Sequence, residues 1–351
     1  TPYILRRQID MTGIIGYGVY VPRFRLKSEE AAMAWGGWAA GEKSVCGIDE
    51  DIVTMAAEAS EKAMKHAGID PSKIGAIHLG TASSPYIEQY VAPILAETLE
   101  LGPETTMVDY CGSLNAGAMA LQGCLDAIAA GRIGAGIVIV TEDRATHPGS
   151  AGEAGFGCGA AAFVIGTEGT IADIEGTEHY TTLFMDRWRA TTDNFVSDFF
   201  DDRFDREYGY QKHIETACKG LIDRLGRGSS DYNHMALQQP DARLPGIIAK
   251  CLGIRGEMMA SGSIAGMVGD LGSASAFVSL AGILDKAKAG ERVLFASYGS
   301  GSSTAASLVV DGAIEGKRSR SIPLEKYIGR KEYINYLTYM KLADNIIRAP
   351  Y

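Results

Sequence analysis

The feature that most restricts the fold of this chain is a repeat within its own text. From Gly112 it reads GSLNAGAMALQGCLDAIAAGRIGAGIVIVTED, and from Gly272 it reads GSASAFVSLAGILDKAKAGERVLFASYGSG. Both stretches open on Gly-Ser, run through an Ala-rich segment to Leu-Asp, close on Ala-Gly and a basic residue, and enter an apolar, β-prone run. After each, a second echo follows: GAAAFVIG at 159–166 and TAASLVVDG at 304–312. The shared order predicts an internal duplication of a helix–strand–strand unit.

Helices this rich in Gly, Ala and Ser allow close backbone approach, which suits a layer sandwiched between sheets. Elsewhere the text alternates strand and helix. GIIGYGVYVP is a strand, EDIVTMAAEASEKAMKHAGI an amphipathic helix ending at Gly68, and IGAIHLGTASS a strand entering a loop. Two such halves, 12–167 and 168–312, predict an α/β fold with five layers, αβαβα. Aromatic and charged text at about 178–212 interrupts the second half and reads as an insertion carrying a binding surface or lid. Residues 313–351 read as an ordered C-terminal tail. Residues 1–10, ahead of Met11, read as an upstream extension.

Net charge is −10, and no Lys/Arg-rich run precedes GKRSRS, which argues against nucleic acid as a partner. Apolar runs stay well short of the roughly 20 residues a membrane helix needs. The six cysteines lack CxxC pairs and scaffold density, which points to a reducing cytoplasm. None of the histidines has ligand spacing, so no metal is expected in this chain.

Cys111 sits where a strand hands over to the first repeated helix. A thiol there is expected to feel the positive end of the helix dipole and to ionise more easily. Its counterpart in the repeat is Leu271, so one half carries a reactive group where the other carries structure. Cys124, Cys218 and Cys251 read as small buried hydrophobes. SYGSGSS at 297–303 is a Gly/Ser loop after a strand; Ser300 and Gly301 are expected to face the Cys111 loop and supply oxyanion-stabilising donors.

Taken in order, GIIGYGVYVPRFRLKSEE, EKSVCGIDED, GTASSPY, the Cys111 segment, EAGFGCGAAAFVIG, QQPDARLP and SYGSG resemble the hydroxymethylglutaryl-CoA synthase branch of the thiolase superfamily, especially its archaeal-type members. The resemblance implies the duplicated thiolase fold, a nucleophile at Cys111, an acyl-cysteine intermediate, and acyl-CoA and CoA as substrates without a covalently bound cofactor. The departures matter equally. Ala82 stands where the synthase carries its acid/base glutamate, Gln238 where it carries histidine, and Met267 at a position read as its asparagine.

Losing the glutamate argues against aldol-like condensation onto a ketone and favours Claisen or retro-Claisen acyl exchange. Ala82 and Met267 are expected to widen the pocket for a bulky or aromatic acyl group. A replacement base is sought in His147, Glu153 or His234, and contacts to CoA phosphates in Arg203, Arg206 and Lys212. The resemblance also implies a homodimer core and a small zinc-containing OB-fold partner, as in two-component enzymes such as benzoylsuccinyl-CoA thiolase. The alternatives are hydroxymethylglutaryl-CoA synthase itself and a catalytically impaired scaffold subunit.

Overall fold

The computed structural model describes residues 12–37, 39–198 and 202–346, so residues 1–10 lie outside the described residues. The main sheet has nine strands: β1 (Gly13–Tyr20), β2 (Ile74–Gly80), β3 (Thr106–Tyr110), β4 (Ala135–Asp143), β5 (Cys158–Gly166), β6 (Ala172–Thr181), β7 (His234–Leu237), β8 (Arg292–Gly299) and β9 (Ser302–Val310), in spatial order β7-β8-β9-β6-β1-β5-β4-β2-β3. Six helices pack on it: α1 (Ile52–Ala67), α2 (Ala92–Thr98), α3 (Ala116–Ala129), α4 (Lys212–Arg224), α5 (Leu244–Cys251) and α6 (Ser275–Leu284).

Outward from the middle, β1-β5-β4-β2 and β6-β9-β8-β7 show the same pairing sequence: antiparallel, antiparallel, then parallel. Among the described strands, the two halves are joined in the ladder only where Gly13 and Ile14 pair with Asp173 and Ala172, so each half packs as a sheet of its own. The duplication legible in the sequence is therefore a mirrored strand order in space. One difference stands out: among the described residues, β3 has no counterpart strand in the second half, where Asp270 makes an isolated bridge to Phe156.

Packing divides the structure into five layers. α1 and α2 share a buried cluster with one face of β2, β4 and β5, including Ile77, Ile139 and Val164. α4 and α5 do the same with β7 and β8 through Met235, Leu237 and Leu294. Between the sheets, α3 and α6 form the central layer with Val138, Phe163, Phe295 and Leu308. Every residue of α6 is buried, so it cannot be amphipathic; its Ala, Ser and Gly positions let both sheets approach.

Local chemistry fixes the element ends. Asp51 and Thr54 form a reciprocal capping box at the start of α1, and Gly68 ends it with φ at 67°. The tail packs back on the first half. Glu332 and Tyr333 pair with the strand Phe24–Lys27, and the helix Tyr336–Leu342 buries Tyr339 over Lys43, so this aromatic text is used within the chain. No described helix is long and apolar enough to cross a membrane.

Candidate active site

Two glycines allow the close approaches that build the site, Gly80 within the first half and Gly299 between the halves. A side chain at Gly80, the last residue of β2, would lie 2.5 Å from the backbone of Gly117 in α3. One at Gly299, the last residue of β8, would lie 2.5 Å from the backbone nitrogens of Leu114 and Asn115. The Cys111 loop therefore rests against the SYGSG loop with no side chain between them. Ser113 Oγ donates to Gly299 O at 3.2 Å, and Asn115 Nδ2 donates to Ser302 Oγ and Thr304 Oγ1 at 3.0 and 3.1 Å. The first half is tied to the second at the start of its central helix.

Cys111 is exposed on the wall of a cavity of about 1110 Å³, which Ala82, Tyr86, Asp109, Arg144, Arg187 and Ser300 also line. Helix α3 begins only at Ala116, after a turn that Gly112 enters with φ at 82°. The thiol thus stands ahead of the helix rather than on its first turn. Its pKa is pushed up, first by partial burial and then by the Asp109 and Glu142 carboxylates, so the expectation of a lowered pKa is corrected. Ionisation at neutral pH then needs a bound positive group or a proton acceptor.

A second cavity of about 290 Å³ shares Leu114, Arg187 and Ser300 with the first and is also lined by Gln238, Tyr210 and Asp270. Gln238 is buried; Nε2 donates to Gly272 O at 2.8 Å, while its buried Oε1 has no partner. Ser300 adopts φ of 35° and donates its hydroxyl to Asp186 Oδ1 and Arg187 O. Gly301 does not offer its N–H to the Cys111 cavity. That group donates to the Tyr298 hydroxyl at 3.3 Å, because the loop folds back on its own strand.

The three candidate bases lie elsewhere. His147 is exposed and stacks on Phe195 of the insertion. Glu153 is buried but accepts from Gly149 N at 2.6 Å and the Tyr336 hydroxyl at 3.0 Å, anchoring the tail. His234 opens β7, whose other end leads to Gln238, and is held between Ser261 and Glu291. Met267 is exposed and lines neither cavity; the wall position is Asp270, beyond a turn at Gly269. Arg203 pairs with Glu207 at 2.9 Å, Arg206 lines only the smaller cavity, and Lys212 is exposed at the start of α4. Among the described residues, the basic groups of the large cavity are Arg144, Arg187 and Arg189.

The sequence reading missed the acidic and basic residues that organise this site. Glu142, fully buried, accepts from Ala82 N at 3.2 Å, Ser273 N at 3.2 Å and Ser273 Oγ at 2.7 Å. It places a carboxylate against the backbone of the residue whose side chain lacks one, and ties that loop to the second Gly-Ser turn at Ser273. Asp270 forms ion pairs with Arg144 at 2.9 Å and Arg187 at 3.6 Å, and both guanidinium groups lie over the Phe156 ring. Burial and the neighbouring Arg144 charge lower the Arg187 pKa. The available signals were TEDR after β4 and DRWR in the insertion, each carrying charge beside a strand end or an aromatic residue.

The architecture is that of a thiolase-like fold, with the Cys111 loop on one half and a glycine turn of the other laid against it. No protein-family model matches the chain. It is 36% identical over 348 residues to the hydroxymethylglutaryl-CoA synthase of Pyrococcus horikoshii, covering 98% of this chain and 99% of that one. To the enzyme of the same name from Methanocaldococcus jannaschii it is 35% identical over 345 residues, covering 96% and 99%. The chain belongs to the hydroxymethylglutaryl-CoA synthase family.

Among solved structures, MvaS in complex with 3-hydroxy-3-methylglutaryl coenzyme A superposes with a TM-score of 0.84 at 20% identity over 95% of this chain and 91% of that one. The 3-oxoacyl-[acyl-carrier-protein] synthase III of Aquifex aeolicus superposes with a TM-score of 0.75 at 21% identity, covering 85% and 99%. These similarities establish the common fold.

Proposed function

We propose that this chain makes or breaks a carbon–carbon bond next to the carbonyl of a CoA thioester, with Cys111 carrying the acyl group. The observation that supports this reading is the exposed Cys111 thiol on a large cavity between the loops of both halves. In the cleavage direction the Cys111 thiolate attacks the β-keto carbonyl, the carbon–carbon bond breaks, and the departing enolate of the shorter acyl-CoA takes a proton. CoA thiol then attacks acyl-Cys111 and restores the free thiol. Arg144, Arg187 and Arg189 give the cavity a positive side suited to an anionic substrate.

Two finer readings share the acyl-Cys111 intermediate. Hydroxymethylglutaryl-CoA synthesis is the one the relatives' names favour, and the Glu142 carboxylate beside Ala82 N supplies an acidic group at the vacated glutamate position. Claisen or retro-Claisen exchange on a bulkier β-ketoacyl-CoA is favoured by Ala82, which leaves space, and by Gln238, which cannot take up a proton. For the assembly, the reading is a homodimer of chains, each built of the halves 12–167 and 168–312, with a small zinc-containing OB-fold partner.

Intact mass measurement after incubation with acetyl-CoA and with aromatic acyl-CoA tests the shared step. An acyl mass that disappears in Cys111→Ser supports it. No acyl mass with any donor leaves the impaired scaffold. Product analysis with acetyl-CoA plus acetoacetyl-CoA separates the finer readings, since only the synthase yields hydroxymethylglutaryl-CoA.

A further inference from the structure

On the sheet face opposite Glu142, three ligating side chains from distant sequence positions meet. Cys46, Asp143 and Cys158 each offer one ligand atom, and these atoms all lie within 4.8 Å of one another. Asp143 and Cys158 are directly opposed across the β4–β5 ladder. Cys46 follows the strand Glu42–Val45, which is fixed to Cys158: Ser44 Oγ donates to Cys158 O at 2.6 Å and accepts from Cys158 N at 2.9 Å. The surroundings are soft, with Met55 Sδ 3.9 Å from Cys46 Sγ.

We propose that Cys46, Asp143 and Cys158 bind a divalent metal ion of the zinc class, a site separate from the Cys111 cavity. Tetrahedral zinc takes thiolate sulfur at about 2.3 Å and carboxylate oxygen at about 2.0–2.2 Å, so its ligand atoms stand roughly 3.5–3.8 Å apart. The observed ligand atoms lie within 4.8 Å of one another, about 1 Å from that spacing. Two thiolates and a carboxylate select a borderline-soft cation over magnesium or calcium, which prefer oxygen donors.

Charge also balances. Lys43 is buried, within electrostatic range of Cys158 and Asp143, with its ammonium 4.1 Å from the centre of the Tyr339 ring. Two thiolates and one carboxylate together neutralise a dication and this ammonium, while binding releases both thiol protons to solvent. Asp143 reaches the surface and gives the ion its entry path, and the fourth position is left for water. Bound there, the ion would pin the Glu42–Val45 strand to the end of β4, whose next residue inward is Glu142.

The test is titration of the full-length, reduced protein with Co²⁺ under anaerobic conditions. The expected result is a thiolate-to-cobalt charge-transfer band with intense tetrahedral d–d bands, saturating near one ion per chain and kept in Cys111→Ser. Cys46→Ala changes the half-buried cysteine, and its fold is checked by circular dichroism. It should weaken binding by more than the roughly 10–100-fold that loss of an outer-shell partner costs. Asp143→Asn should keep the charge-transfer band but bind more weakly. Absence of the band at excess Co²⁺ overturns the proposal, as does an unchanged affinity and band intensity in Cys46→Ala or loss of the band in Cys111→Ser.

Discussion

The two Gly-Ser turns of the duplicated unit share a backbone and differ in what surrounds it. Gly112 and Gly272 both adopt positive φ, 82° and 55°. Around Gly112 no atom lies within 4 Å of where a side chain would begin, whereas at Gly272 that position is 2.5 Å from Glu142 Cγ. The residue before the first turn is the exposed Cys111; the one before the second is Leu271, fully buried in the central layer. One turn opens onto a cavity and the other is filled by a carboxylate reaching across from the first half. Duplication gave the site two equivalent turns, and burial of one makes a firm backing for the other.

The largest expected effect falls on the open turn. Cys111→Ala should lower turnover by roughly 10⁶-fold, the scale for losing a nucleophile, with unchanged unfolding in denaturant. A variant that keeps appreciable activity would place the acyl carrier elsewhere. Leu271→Ala should do the reverse, costing about 2–5 kcal/mol of stability by urea denaturation while Cys111 remains alkylatable. Equal stability loss from both substitutions would break the contrast.

Between the glycines, Gly112→Ala should cost about 1–2 kcal/mol from backbone strain alone. Gly272→Ala should cost more, because the added carbon also meets Glu142; a smaller loss at Gly272 than at Gly112 would contradict the packing described. The smallest effect is electrostatic. The Asp109 charge helps push up the Cys111 pKa, so Asp109→Asn should lower it and move the pH profile of iodoacetamide alkylation to lower pH. At a fixed pH below the midpoint, thiolate is more abundant in the variant and alkylation about two- to tenfold faster, tenfold corresponding to about 1.4 kcal/mol. A profile that stays put or moves upward would remove Asp109 from the account.

Local patterns carried much of this into view. The α1 limits follow from Asp51, the 3.6-residue apolar spacing and Gly68, all short-range features. The central layer was legible because only small residues permit two sheets to close on one helix. The candidate bases line neither cavity because closeness in sequence does not aim a side chain: His147 packs on Phe195 from a loop, Glu153 anchors the tail from the short helix Ala151–Gly155, and His234 sits at the far end of β7 from Gln238. Along a strand, one more or one fewer residue turns a side chain to the other face. Thus β4 sends Glu142 toward Ala82, while its neighbour Asp143 joins Cys46 and Cys158 on the opposite face. The Arg144–Asp270–Arg187 grouping joins three separate segments, and no local spacing encodes it.

The sequence by itself determined the duplication, the five layers and the cysteine that differs between the repeats, because each is written in residue type at fixed local spacing. Only the tertiary structure decided which charges meet. The 2.5 Å backbone approach at Gly299 brings the loops of the two halves into one site, and the energy of a charged group depends on neighbours that chain folding, rather than chain order, supplies.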